Sequence, residues 1–277
     1  MSYKKDICNA NKDIYKDLEI NCSECFGFCC VALYFSTMDG FPEDKVAGEP
    51  CNNLNKDFTC SIHKDLRKKG LNGCTSFDCF GAGQKVAKHT YKNVSWKESK
   101  DKSKEMYDVF IVMKNLHEMI WYLNESTKFT ENKNLINDIN NMINKTIEFT
   151  NLSSREILNI NVEQHRQDVN VLLKKVRHDF IKKDSDLPLV FDFIGKNLSK
   201  RKLKNENLAG ALLIAANLSN LDLSGTMLIG ADMRDTDIRG ANLKEAMFIT
   251  QSQINTAKGD SKTILPKNIK RPTYWQK

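Results

Sequence analysis

The sequence predicts an α+β multidomain protein in three parts: a cysteine-rich N-terminal domain, a helical middle region and a C-terminal solenoid of five-residue repeats. Three observations carry this expectation. Eight of the nine cysteines fall between Cys22 and Cys79, and none follows. Apolar residues recur at three and four between residues 104 and 183, the period of one helix face. From Phe191 onward they recur at five, a repeat rather than a helix or a half-buried strand.

Length and composition bound the answer. A chain of 277 residues is long enough for two or three small units with separate cores. The charged fraction of 28% indicates a well-hydrated surface, while abundant Ile, Leu, Val and Phe exclude disorder. No apolar run reaches the roughly 18 residues needed to cross a bilayer, and Met1 to Glu19 is charged without the apolar block of a secretory signal, so a cytoplasmic, non-membrane protein is expected. The net charge of +7 is spread out: Gln84 to Met106 holds seven Lys against three acids, and the tail from Thr256 holds five Lys and Arg271 against Asp260. No aromatic-basic interleaving accompanies it, which argues against nucleic acid as a partner.

After an N-terminal segment (1–20), the first domain is placed at 21–90. Its spacing is Cys22-x-x-Cys25-x-x-x-Cys29-Cys30, then Cys51, Cys60, Cys74 and Cys79. In a reducing compartment, clustered cysteines point to metal more than to disulfides. Tetrahedral zinc and the common iron–sulfur clusters each take four thiolates, so eight thiols match two sites. Adjacent Cys29 and Cys30 are expected to point apart and serve different metals. His63, three residues after Cys60, is the candidate to replace a thiolate or donate a hydrogen bond to one. Only one short C-x-x-C pair is present, which tilts the expectation slightly from zinc toward an iron–sulfur cluster. Phe26, Phe28, Phe58, Phe77 and Phe80 flank the cysteines and supply either a water-excluding shell or a small core. Gly81 to Gln84 lacks the Lys-Ser/Thr of a phosphate loop and reads as a tight turn. Cys8 lies outside the cluster and reads as a free thiol. The segment from Cys22 to about Cys79 resembles the zinc- or iron-chelating family known for a CxxCxxCC pattern, which includes flagellin lysine methylases. The resemblance implies chelation by the matching cysteines. Here three residues rather than two precede the CC pair, and Leu66-Arg67-Lys68 stands where that family commonly has Arg-Pro.

The helical region is placed at 91–190. One stripe is Val109, Met113, Leu116, Ile120 and Leu123, a second is Leu135, Ile139, Met142, Ile143 and Ile147, and a third runs from Val162 through Val169, Leu172, Leu173 and Val176 to Phe180. Ser153 or Ser154 is the candidate N-cap between the last two. His117, His165 and His178 sit among these stripes as packed or solvated side chains.

The repeats are placed at 191–250. Every fifth residue from Phe193 to Phe248 is apolar, twelve positions without a miss. Small residues precede the later centres by two, as at Ala211, Ala216, Thr226, Ala231, Thr236, Ala241 and Ala246, and Asn or Asp often lies between. This pattern resembles the pentapeptide-repeat family, A-(D/N)-L-x-x, carried almost literally by Ala216-Asn217-Leu218 and Ala241-Asn242-Leu243. The resemblance implies a right-handed quadrilateral β-helix with four pentapeptides per coil and both the centre and the small residue inward. Residues 251–277 abandon the period and are expected to cap the open end, with Trp275 as the capping hydrophobe.

Two functions follow from this reading. One is a metal-binding protein, iron–sulfur or zinc, with a redox or peptide-modifying role and the β-helix as a platform for a protein or peptide partner. The other is a non-enzymatic, zinc-stabilised binding scaffold. Mimicry of DNA, as in pentapeptide-repeat proteins that protect topoisomerase, is a minor alternative. Twelve repeats give three coils, about 14 Å at ~4.8 Å per coil, against ~34 Å for one DNA turn. Residues 191–250 also carry eight basic and seven acidic groups, whereas a mimic should be acidic.

Overall fold

The computed structural model describes residues 13–181 and 192–275. The chain divides into two compact units. The first comprises Met1–Leu66 with Cys79–Lys174, and the second Arg67–Asp78 with Lys175–Lys277.

In the first unit the cysteine-bearing segment is made of turns and short helices, among them α1 (Phe28–Ala32). The second unit contributes α2 (Asn72–Ser76). The chain re-enters the first unit with α3 (Ala82–Lys85), which runs directly into a π-helical turn, Val86–Thr90. A long helix follows, α4 (Ser103–Ser126), and it organises the unit. Its Met106, Phe110, Met113, Leu116, Ile120 and Leu123 are buried, spaced three and four so that they share one face. Against it pack α5 (Lys133–Thr150), through Leu135, Ile139 and Ile143, and α6 (Ser154–Leu158), through Ile157. Phe28 of α1 stacks on Phe110 with ring centroids 5.4 Å apart, which anchors the cysteine segment to the helical core. Each start is capped locally: Asn132 accepts from the backbone N–H groups of Asn134 and Leu135, and Ser153 forms a capping box with Glu156. α7 (Val162–Ile181) buries Val169, Leu172 and Leu173, and its His165 Nε2 meets the Thr146 hydroxyl of α5 at 2.9 Å.

The second unit is a coil with a twenty-residue turn. Parallel pairings join Asp192 to Leu212, Asn197 to Asn217, Leu212 to Asp232, Asn217 to Asp237 and Met227 to Met247, so four pentapeptides close one turn. Leu198, Leu203, Leu208, Leu213, Leu218, Leu223, Leu228, Met233, Ile238 and Leu243 fill the interior together with Ala211, Ala216 and Ala241. Each buried centre of this size contributes about 1.5–3 kcal/mol relative to exposure. The two threonines in small positions bond inward: Thr226 donates to the Leu203 carbonyl at 2.6 Å and Thr236 to that of Leu213 at 2.7 Å, so their burial leaves no hydroxyl unpaired. Where Asn or Asp precedes a centre, its side chain accepts the N–H two residues on, as in Asn217 to Ser219 and Asp222 to Ser224, the local turn bond these side chains favour.

This architecture corrects the expected fold class. Among the described residues there is no β-strand, sheet or barrel, and regular secondary structure is mostly helical. An α+β fold with a right-handed quadrilateral β-helix is therefore overturned. The parallel pairings are isolated single-residue bridges. The cause lies in every pentapeptide: the N–H of the residue three past a centre donates back to that centre, as in Ala211 to Leu208 at 3.1 Å and Ala216 to Leu213 at 2.9 Å. The residue two past the centre then turns left-handed, as Gly210, Ala215, Asn220, Gly230, Asp235 and Gly240 do. A chain that bends every five residues has no straight run long enough for consecutive ladder pairs.

The period ends at Thr250, whose side chain forms a capping box with Gln253 to start α8 (Gln251–Thr256). The following pairings slip out of the twenty-residue register, Asp237 to Lys258 and Asn242 to Ile264. Trp275, 3% exposed, packs with Ile254, Ala257 and Ile269 and donates its indole N–H to the Ala257 carbonyl at 3.3 Å. The Arg67–Asp78 segment belongs to this end of the unit. α2 packs on α8, and Arg67 donates to the carbonyls of Asn255 at 2.6 Å and Ala257 at 3.3 Å while its guanidinium lies 4.6 Å from the centre of the Tyr274 ring.

Candidate thiol site

Seven of the eight clustered cysteines belong to the first unit: Cys22, Cys25, Cys29, Cys30, Cys51, Cys60 and Cys79. Cys74 lies on α2 in the second unit. His63 is exposed at the start of a one-turn 3-10 helix, and its backbone N–H donates to the Cys60 carbonyl at 3.3 Å. Cys8 lies outside the described residues.

Backbone hydrogen bonds bring distant segments together. Cys25 N–H reaches the Cys22 carbonyl at 3.3 Å, and Cys51 N–H reaches the Cys30 carbonyl at 2.8 Å. A bridge pairs Leu54 with Cys60. Gln84 ties in the start of the segment, accepting from Asn21 N–H at 2.7 Å and donating to the Glu19 carbonyl at 2.9 Å. Gly83 makes room for a sulfur: a methyl there would stand 2.4 Å from Cys25 Sγ. Phe58 and Phe80, beside Cys60 and Cys79, both hold left-handed φ, 67° and 48°. That conformation is costly for a bulky residue, and such strain concentrates at functional sites. Phe58 packs against Phe26 and Trp96, and the Trp96 indole donates to the Phe26 carbonyl at 2.8 Å.

The sulfurs feel one another's charge. Burial raises the Cys22 thiol, with Cys30 adding to the effect. Burial pushes the Cys25 thiol up to about 12, with Cys79 and Cys22 contributing. Burial also raises Cys60, with Cys30, Cys51 and Cys22 adding. Cys29 and Cys30 form a pair with sulfurs 4.0 Å apart. This corrects the expectation that their side chains point apart: on the single turn of α1 both sulfurs swing to the same side. A hydrogen bond from the Cys29 thiol lowers Cys30, and Lys45 assists, while the same bond raises Cys29 well above the ordinary thiol value. Lys45 is 9% exposed. It donates to the carbonyls of Val31 at 2.9 Å and Leu33 at 2.5 Å, and burial lowers its own value against the opposing pull of Cys51, Cys30 and Cys29. Sequence reasoning missed Lys45, a single loop lysine without motif. Gly83 was legible only as part of a glycine turn.

Cys22, Cys25, Cys29, Cys30, Cys51 and Cys60 are free thiols. Their chemistry suits a thiophilic metal, since a cation would stabilise the thiolates that burial, and after it mutual repulsion, disfavours at Cys22, Cys25 and Cys60. Among the described residues, no three His, Cys, Asp or Glu side chains converge to hold an ion, so the fit is one of donor chemistry, not of a formed ligand cage. Among the same residues no helix is long and apolar enough to cross a membrane.

Fold and site together define a thiol-rich helical unit joined to a coil of twenty-residue turns, and residues 197–245 of that coil match the Pentapeptide repeats family in eight copies. The chain is also 43% identical over 272 residues to "Uncharacterized protein YybG" of Bacillus subtilis (strain 168), covering 95% of this chain and 97% of that protein. It belongs to the family of that protein. No solved structure matches.

Proposed function

We propose that the protein is a metal-binding interaction scaffold, in which the thiols of the first unit hold zinc or an iron–sulfur cluster and the repeat coil presents a rigid surface to a protein or peptide partner. The observation that carries the metal reading is the gathering of free thiols from separate segments, Cys22 to Cys30 and Cys51 to Cys60, into one electrostatic neighbourhood. In a reducing compartment such crowding is relieved by a cation and not by disulfides. The N-terminal resemblance to the CxxCxxCC chelating family supports the same reading. The platform role rests on the coil: its interior is filled by its own side chains, leaving the outer face for recognition, as repeat proteins use it. A redox or peptide-modifying activity goes with iron, and a purely structural role goes with zinc.

The test is purification without oxygen, followed by the visible spectrum and by iron, zinc and sulfide per chain. Absorption near ~400 nm with about four irons and matching sulfide, as one four-cysteine cluster requires, supports the redox form. Zinc without colour supports the scaffold form. Titratable free thiols with neither metal sink the proposal.

A further inference from the structure

The helix that places Gly83 against Cys25 has a second face. Lys85 at the end of α3 and Lys88 and His89 on the π-helical turn border a cleft of about 410 Å³ in the first unit. That volume lies in the range of small-molecule sites, and π turns recur where helices serve function. The floor is apolar, from Leu18, Ile120 and Ile147. In it lies His117, 5% exposed, whose Nδ1 is committed to the Phe80 carbonyl at 2.7 Å. Burial lowers the His117 imidazole to about 4, so the ring is neutral.

The rim carries Lys16, Lys85 and Lys88 against Asp17 and Glu24. Lys88 is paired with Glu24 at 2.5 Å, but the half-buried Lys85 bonds an uncharged acceptor, Asn151 Oδ1, at 2.7 Å. Burial lowers its ammonium, Lys92 adds to that, and Asp17 opposes from the rim. Burial and then Lys85, Lys92 and Lys88 likewise hold His89 low. An apolar floor beneath a cation with an uncharged partner is the chemistry of an amphipathic anion.

We propose that this cleft binds a small organic carboxylate with an apolar body, its tail on Leu18, Ile120 and Ile147 and its carboxylate on Lys85. The proposal uses no cysteine as a ligand or binding group, so it stands or falls separately from the metal reading.

Calorimetric titration of the full chain with hexanoate, and with hexanol and inorganic phosphate for comparison, tests it. Saturable hexanoate binding tighter than that of hexanol or phosphate is expected. Lys85→Met should weaken hexanoate by about tenfold or more, the loss expected of one charge-assisted hydrogen bond. Lys104→Met, an exposed lysine outside the cleft, should change it little, and Ile147→Ala should weaken it through the tail. Circular dichroism verifies that each variant folds. Absence of binding at millimolar hexanoate, equal affinity for hexanol, or equal losses in the two lysine variants overturns the proposal.

Discussion

At the residue scale, Gly83 and His117 make the sharpest predictions. Gly83 is tied to the thiols by contact: its missing Cβ is the space that Cys25 Sγ occupies. Gly83→Ala should force Cys25 out of place at a cost of about 1–3 kcal/mol, measured by urea unfolding, with faster reaction of a thiol reagent at Cys25. Unchanged stability and thiol reactivity would mean the contact is slack. His117 acts through pH. Its folded value of about 4 lies below the ordinary 6.5, so between those values the unfolded chain binds the extra proton and stability rises with pH. The stabilisation is present above 6.5 and is lost as pH falls through 4, by up to about 3 kcal/mol in all. His117→Gln lacks this ionisation, so urea unfolding from neutral to acid pH should show a flatter profile than the parent. Parallel profiles would remove the buried imidazole as the cause.

At the element scale, the repeat is a sequence of turns rather than of strands. The left-handed residue two past most centres, from Asn205 through Gly240, carries the bend, and there glycine, asparagine and aspartate are best tolerated. Ala215 occupies such a position with φ of 54°. Ala215→Gly should therefore stabilise the coil by about 1 kcal/mol, seen as a higher urea midpoint at constant m-value. Loss of stability would show that the backbone entropy of glycine outweighs the relieved strain. The periodicity of five was plain in the chain, and so were the three helical stripes, because both depend on side chains close in sequence facing the same way. The absence of strands was not, because an apolar residue every fifth position says what points inward but not how the intervening four residues turn. The signal that was present, Gly, Asn, Ala or Asp recurring from Gly210 through Gly240, marks the turn.

At the scale of the whole molecule, the Arg67–Asp78 segment is the consequential feature. It sits among the cysteines in sequence, yet it packs with the end of the repeat coil, where Arg67 is bonded to the carbonyls of Asn255 and Ala257. Arg67→Ala should loosen that end. Hydrogen exchange should rise across residues 67–78 and 251–275 while the thiol reactivity of Cys22 to Cys30 stays as it was. Protection unchanged at residues 251–275 would make the arginine incidental. Trp275→Ala should cost more, about 3–5 kcal/mol for a large buried aromatic, and should lower the unfolding midpoint of the coil.

What the amino-acid sequence determined alone was local and periodic: the helical faces, the inward leucines and alanines of the repeats, the concentration of thiols between Cys22 and Cys79, and the end of the period near Thr250. The tertiary structure decided which of those thiols share a neighbourhood, that Cys29 and Cys30 touch, that Cys74 travels with the coil, that a buried Lys45 lies among the sulfurs, and that Lys85 and His117 meet across one cleft. The division has a physical cause. Periodicity is set by bond geometry over a few residues, whereas the position of a side chain such as Lys45 or Gly83 depends on contacts between segments far apart in the chain, which no local pattern encodes.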